Sequence, residues 1–492
     1  MKNLILALTC FACFSCQSAK KNEENPFKVH AKLIDQYAES SLKKGNINSL
    51  AIAVYKEGMI YQNYYGEMDK GQNNQPNDKT LYEIASISKI FAGTLAAKAV
   101  LEGKFKLEDD IRMYLDGDYS NLEFEGTPVT IQNLLTHTIG FNNPDRLKEI
   151  FEKTNEGYYE NKAFEYDMTD FLGELKSVNL HKKPGTHYQY NSSGPELVAY
   201  ILSKTYERPY EDLLMDLFAE IGMNNSYLQN YDQHKQYLSN GYGEHHQVAS
   251  IDKTPLLGGA SGVISTLPDM IKFMKFQMES DNKYISESYR YLFQSEESNM
   301  GYLWEVGEGE KEGFFYAKTG TANGIQSGLF LCPTSNYAIV LIMNNNSEIA
   351  FNDWVNLYYK IENDLIDYPK INLVAYLEPE LINNTEKAII KYHKLKTDTA
   401  NFVAGSSYYM NALGYDLIAQ NKFDKAIEIF EFAVSENPED ANLFDSLGEA
   451  YFLAKDYRKS ADNFKKSLEL NPDNSNAEEY LEKISELRNK LN

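Results

Sequence analysis

The stretch from about Ser407 recurs at an offset of 34 residues in the stretch from about Ala441, and that period demands stacked supersecondary units rather than one continuous core. Leu413-Gly414, Phe430 and Pro438 of the first copy fall on Leu447-Gly448, Phe464 and Pro472 of the second, while Ala426 and Ala433 fall on Ser460 and Ser467. Small residues at those places let two antiparallel helices approach closely. The phenylalanine fills the gap between them, and the proline after each second helix prevents its continuation. A last helix rich in Glu and Lys, from about Ala477 to Leu491, is expected to cap the stack. Two copies are fewer than a free-standing array uses, so the segment from about Pro379 to Lys396 is expected to add a further helix or a docking contact.

This pattern resembles the tetratricopeptide repeat, which implies an all-α segment over residues 401–492 and a protein partner held through its helices. A chain of 492 residues exceeds one ordinary domain. A large body is therefore expected over residues 31–362, with 363–400 as a linking helical segment. Apolar residues at 43% and charged residues at 24% fit a chain that folds over most of its length. A formal net charge of -23 repels phosphate backbones and anionic headgroups, which argues against nucleic-acid partners and electrostatic membrane binding.

Met1-Lys2-Asn3 leads into an apolar run from Leu4 to Phe14, followed by the polar Gln17–Glu24. Such a run is too short to cross roughly 30 Å of hydrocarbon as a helix, so residues 1–16 read as a signal peptide and 17–30 as a polar tether. Cys16, after Ser15, resembles the lipidated cysteine of a bacterial lipoprotein signal, with Cys10 and Cys13 upstream. Membrane attachment would then be through the lipid alone, at the bacterial cell envelope. Plain secretion with cleavage just beyond Cys16 is the alternative. Cys332, in the apolar run Leu329–Cys332, reads as a buried strand residue, and no disulfide framework is expected.

The body mixes helical periodicity with strand-like runs, which implies an α+β or α/β architecture. Leu50–Tyr55, Gly58 and Met59–Tyr61 read as strand, turn and strand, and Tyr337–Met343 reads as a late strand. Pairing of early and late strands would give a mostly antiparallel sheet with helices packed over it.

Ser86 and Lys89 lie three residues apart at the start of a segment with helical periodicity through Leu101, stopped by Gly103. That spacing puts both side chains on one face, where the amine can reach the hydroxyl. Taken alone, Ser-x-x-Lys is common on solvated helix surfaces. Its context is more specific. Tyr82–Lys89 resembles the first motif of the serine β-lactamase and DD-peptidase superfamily. Pro184-Gly185-Thr186, Tyr188 and Tyr190–Gly194 resemble the second motif of the class C branch, and Lys318-Thr319-Gly320-Thr321 resembles the Lys-Thr-Gly motif. Thr130–Phe141 and Ala260–Asp269 match structural signatures of the same family.

The resemblance implies an antiparallel sheet flanked by helices, with a helical subdomain. It implies that Ser86 attacks an amide or ester carbonyl of a small molecule or peptide to give an acyl-enzyme. Lys89 and Tyr190 would share its activation, with the base left open between them. The oxyanion would lie between the backbone N–H groups of Ser86 and Thr321. Lys318, Thr319 and Gly320 would orient the acyl group or bind a substrate carboxylate. Ser192 stands where the class C pattern has Asn, which turns the expectation from cephalosporin hydrolysis towards an esterase or a peptidase of D-amino-acid substrates.

His137 lies within a structural signature and no Gly-x-Ser-x-Gly elbow accompanies it, so it reads as structural. His245-His246 lacks a His-Glu-x-x-His pattern, and neither a metal nor another cofactor is expected. A rival reading makes the body a ligand sensor or scaffold and gives the function to the repeats.

Overall fold

The computed structural model describes residues 26–141, 166–228, 231–244, 246–249, 256–405 and 407–491. Residues 1–16, read as a signal peptide and including Cys16, residues 155–165, and His245 lie outside the described residues.

An eight-stranded antiparallel sheet organises the body. Its strands are β1 (Ser49–Lys56), β2 (Met59–Gly66), β3 (Phe293–Gln294), β4 (Asn299–Met300), β5 (Glu305–Gly309), β6 (Gly313–Ala322), β7 (Ile325–Cys332) and β8 (Tyr337–Met343). They run in the order β2-β1-β8-β7-β6-β5-β4-β3. The expected pairing of early and late strands holds, with Leu50 opposite Met343 and Lys56 opposite Tyr337. The β1–β2 hairpin closes through Glu57 and Gly58, both at positive φ (52° and 84°), the backbone a two-residue turn of matching twist requires.

The apolar runs in β1 and β8 are continuous because both faces of the sheet are covered. Period two divides them. Ala51, Ala53, Ala338, Val340 and Ile342 enter one core, together with α2 (Ser88–Leu101), α3 (Ser193–Tyr206) and α4 (Leu267–Glu279). Leu50, Ile52, Val54, Ile339, Leu341 and Met343 enter the other, beneath α1 (Pro26–Lys43) and α5 (Glu348–Asp367). Helix α1 thus begins inside the stretch read as a tether, and α5 runs through the boundary expected at 362.

Beyond α5 the chain is almost wholly helical: α6 (Leu373–Asn383), α7 (Thr385–Leu395), α8 (Ser407–Ala419), α9 (Phe423–Glu436), α10 (Ala441–Leu453), α11 (Tyr457–Leu470) and α12 (Ser475–Leu491). The 34-residue period corresponds to the pairs α8–α9 and α10–α11. A Cβ on Gly414 would stand 2.3 Å from the Phe430 ring, and one on Gly448 2.9 Å from the Phe464 ring, so the glycines are what admit the phenylalanines. The segment from Pro379 to Lys396 contributes the end of α6 and all of α7, and the Tyr392 ring meets Phe432 of the first pair at 5.0 Å.

The repeats share the second core with the sheet: it runs without a break from Leu33 and Tyr37 through Trp354 and Leu357 to Tyr409, Leu413 and Leu447. Polar contacts cross the same junction. Lys44 reaches Asp353 at 2.9 Å and Asp416 at 2.6 Å, and Lys360 reaches Asp416 at 3.4 Å. The carboxyl of Asp364, fully buried here, accepts from the Tyr37 hydroxyl at 2.6 Å through Oδ2, while its Oδ1 has no partner. Burial pushes its pKa up to about 7. A folded-state pKa raised above the unfolded one favours the protonated form. Stability contributed by that proton is therefore full below about pH 4 and is lost as the pH climbs through 7. Asp364→Asn should remove this slope, making the variant more stable than wild type by about 2–4 kcal/mol at pH 8 but not at pH 4. Urea unfolding at the two pH values checks it.

Candidate active site

Ser86 sits in a one-turn 3-10 segment, Ala85–Ile87, that leads directly into α2. The sequence predicts one continuous helix here. The structure tightens its entry instead, with Ala85 in the left-handed region at φ 47°. Positive φ is unfavourable for alanine, so surrounding contacts must hold the turn. Ser327 on β7 supplies one, its hydroxyl donating to the carbonyls of Ile84 and Gly320, each at 3.1 Å. Strand β6, paired with β7 at Gly320 and Ser327, presses on the turn as well: a Cβ on Gly320 would lie 2.4 Å from the Ile84 carbonyl and 2.9 Å from the Ser86 nitrogen. Only glycine permits that approach. Two residues earlier on the same face of β6, Lys318 emerges beside the serine.

The spacing argument for Lys89 is matched in space, since its Nζ donates to Ser86 Oγ at 3.0 Å. The Tyr190 hydroxyl, from the loop before α3, donates to the same oxygen at 2.9 Å. The Tyr190 ring lies 5.1 Å from Lys89 Nζ and 4.7 Å from Lys318 Nζ. Lys89 and Tyr190 thus meet at the Ser86 hydroxyl, and Lys318 joins them across the Tyr190 ring.

Electrostatics set the protonation balance. Burial by itself would raise the Tyr190 pKa, but the ammonium groups of Lys89 and Lys318 outweigh it and bring the phenol down to about 8. Burial pushes the pKa of Lys89 below the usual lysine range, and the charge of Lys318 adds to this against the opposing pull of Tyr190. Lys318 moves up despite its burial, because Tyr190 and Glu305 favour its charged form. Proton affinity is therefore distributed over a coupled group.

Two acidic residues that the sequence reading did not single out complete the surroundings. Glu196 of α3, fully buried, accepts from the backbone N–H groups of Leu257 (3.1 Å), Gly258 (3.2 Å) and Ala260 (2.9 Å). The Ala260 carbonyl in turn accepts from Lys89 Nζ at 2.8 Å. Glu196 thereby fixes the loop that orients the lysine. Glu305, on β5, accepts from Lys318 Nζ at 2.7 Å.

The remaining predicted residues fall around this centre. Ser192 is the partly buried residue ahead of α3, and Thr319, Gly320 and Thr321 follow Lys318 along β6. The amide of Asn191 is committed to its own loop, donating to Gln189 O at 2.9 Å and accepting from Gly194 N at 2.8 Å. His137 is buried, stays neutral because burial and the two lysines disfavour its charge, and packs its ring 4.7 Å from that of Tyr190. Cys332 is buried in β7, where desolvation pushes its thiol up to about 12. Among the described residues, no group of three or more His, Cys, Asp or Glu side chains is arranged to hold a metal.

The beta-lactamase family matches residues 31–357, which takes in the whole sheet, α2 to α4, most of α1, the first half of α5 and every residue of this centre. The chain belongs to that family. Protein flp of Staphylococcus aureus (strain N315) is 25% identical over 358 residues, covering 70% of this chain and 68% of flp. A beta-lactamase of Providencia stuartii is 23% identical over 355 residues, covering 63% of this chain and 86% of its own. Among solved structures, a class C beta-lactamase superposes with a TM-score of 0.58 at 23% identity, over 70% of this chain and 98% of that one. The family match stops short of α6, and the helical repeats lie beyond it.

Proposed function

We propose that the chain is an exported serine hydrolase that opens amides or esters through an acyl-enzyme on Ser86. The observation that carries this reading is the convergence of the Lys89 amine and the Tyr190 hydroxyl on Ser86 Oγ, at 3.0 and 2.9 Å. A free serine hydroxyl is a poor nucleophile and needs a neighbour able to take its proton. Tyr190, brought near neutrality by two cations, or Lys89, whose charge burial disfavours, can accept it as the Oγ–carbonyl bond forms. The oxyanion is assigned to the N–H groups of Ser86 and Thr321, and the seating of the acyl group to Thr319 and Gly320. With serine at 192 and the Asn191 amide engaged in its own loop, the contact expected from a class C asparagine is lacking. This favours small esters or D-amino-acid peptides over cephalosporins.

The helical pairs from α8 onward, read as tetratricopeptide repeats, would dock the enzyme on a protein partner. A lipid at Cys16 would hold both at the cell envelope. The rival reading, a sensor or scaffold working through the repeats, draws on the core they share with the body, and docking by the repeats is compatible with chemistry at Ser86.

Intact-mass measurement after exposure to a fluorophosphonate, and separately to a penicillin, tests the proposal. A single adduct on Ser86, absent from Ser86→Ala, is expected. Persistence of the penicillin adduct would mark a peptidase-like enzyme, and its rapid loss a lactamase. A folded wild-type protein that neither reagent labels would transfer the function to the repeats.

A further inference from the structure

Lys318 is the cation on which the expected substrate carboxylate would dock, yet in this chain it already has an anionic partner. Its side chain is 1% exposed, and its ammonium is bound to Glu305 Oε1 at 2.7 Å. Glu305 opens β5 opposite Ala317, the residue before Lys318 on β6, and its carboxylate reaches the lysine from that first position of the strand. The Glu305 side chain remains 42% exposed, so solvent reaches the carboxylate side of the ion pair.

We infer that this pair makes the site select against substrates bearing a free carboxylate over Lys318, and that its substrates present a neutral group there: an ester or an amide. The inference rests on the Ser86 chemistry proposed above and adds the substrate class. A carboxylate reaching Lys318 must either displace Glu305 or share the ammonium with it. Displacement leaves the Glu305 charge without its partner, and sharing brings two anions within about 4–6 Å of each other, where like charges disfavour one another. An ester or amide meets neither penalty. The raised proton affinity of Lys318 agrees, since its charge is stabilised by Glu305 and Tyr190 before any substrate arrives. Solvent reaches Glu305, so screening limits the discrimination to tens of fold rather than thousands. The net charge of -23 adds a long-range repulsion of the same sign, which salt weakens.

Benzylpenicillin and its methyl ester form a matched pair that differs only in this carboxylate. Their acylation rates on Ser86 can be followed by intact mass at one pH and ionic strength, in the wild type and in Glu305→Gln. Fluorophosphonate labelling of both proteins reports an intact nucleophile. The ester is expected to acylate the wild type at least about 10-fold faster than the acid, and Glu305→Gln to narrow that ratio to within about 3-fold by speeding the acid. Equal rates or a faster acid in the wild type overturn the inference. So does a ratio that survives Glu305→Gln, or a wild type labelled by the fluorophosphonate that neither penicillin acylates. Failure of the fluorophosphonate itself on folded protein instead removes the Ser86 reading on which the inference stands.

Discussion

Lys89→Ala is expected to slow acylation of Ser86 by about 10³- to 10⁴-fold at pH 7, and to move the pH dependence of what remains to higher pH. The two effects have one origin. In the wild type, burial raises the Tyr190 pKa while Lys89 and Lys318 lower it, leaving it near 8. Removing one ammonium leaves desolvation opposed only by Lys318 and the hydrogen bond to Ser86, so the phenol titrates at higher pH and the fraction able to accept the serine proton at pH 7 falls. The alanine also deletes the 3.0 Å contact with Ser86 and leaves the Ala260 carbonyl without its donor. Tyr190→Phe separates these contributions. It keeps both lysines and the ring packing against His137, removes only the hydroxyl, and should abolish the limb near pH 8 with a loss of about 10²- to 10³-fold. Single-turnover acylation by an ester across pH 6–10 reads both variants. A limb near 8 that persists in Tyr190→Phe would hand the proton to Lys89.

Much of this centre was legible because its residues carry their chemistry locally. Ser86 and Lys89 sit one helical turn apart, and Lys318 opens the short Lys318-Thr319-Gly320-Thr321 run, although the strand that carries it begins five residues earlier, at Gly313. The sheet was legible for a similar cause: Leu50–Tyr55 and Tyr337–Met343 are apolar at every second position on both phases, as strands covered on both faces must be. Glu196 and Glu305 were not legible in the same way. Each acts through a partner far along the chain, Glu196 through the Ala260 loop 64 residues on and Glu305 through Lys318 across a strand pair. A trace of the first was present. Glu196 is the charged residue in Ser193-Gly194-Pro195-Glu196-Leu197-Val198-Ala199, and a carboxylate in an apolar stretch is costly unless something satisfies it. For Glu305 no comparable signal exists, since an acidic residue at the start of an edge-ward strand is ordinary surface chemistry.

The junction with the repeats was illegible for a different reason. A 34-residue period reports how repeats pack on each other and is silent on what lies beneath the first of them. That surface is provided by α1 and α5. Tyr37 lies 5.8 Å from the Tyr409 ring, and Tyr408 donates to Asn356 at 2.6 Å. A sequence reading that divides the chain at 362 and 400 therefore cuts through a shared core.

A chain ended at Asn372 is accordingly expected to fail as an independent domain, although it retains all of the family-matched segment and every residue around Ser86. Truncation uncovers Tyr37 and the apolar side chains of α1 and α5 that share a core with α8 and α10, and it strips Lys44 and Lys360 of Asp416. Each large side chain returned to water costs about 1.5–3 kcal/mol, and several together match the roughly 5–15 kcal/mol by which a domain of ordinary stability stays folded. The expected outcome is aggregation, or a melting temperature lower by at least about 15 °C, with loss of Ser86 labelling under conditions where the full chain labels. Tyr409→Ala gives a graded version in the intact chain, with a loss of about 3 kcal/mol in urea unfolding and an unaltered labelling rate below the transition. A truncated chain that melts and labels like the whole would show the repeats to be an appended module. The predicted failure would mean that any partner seated on α8–α11 bears on a helical layer whose inner side shares a core with the sheet that carries Lys318.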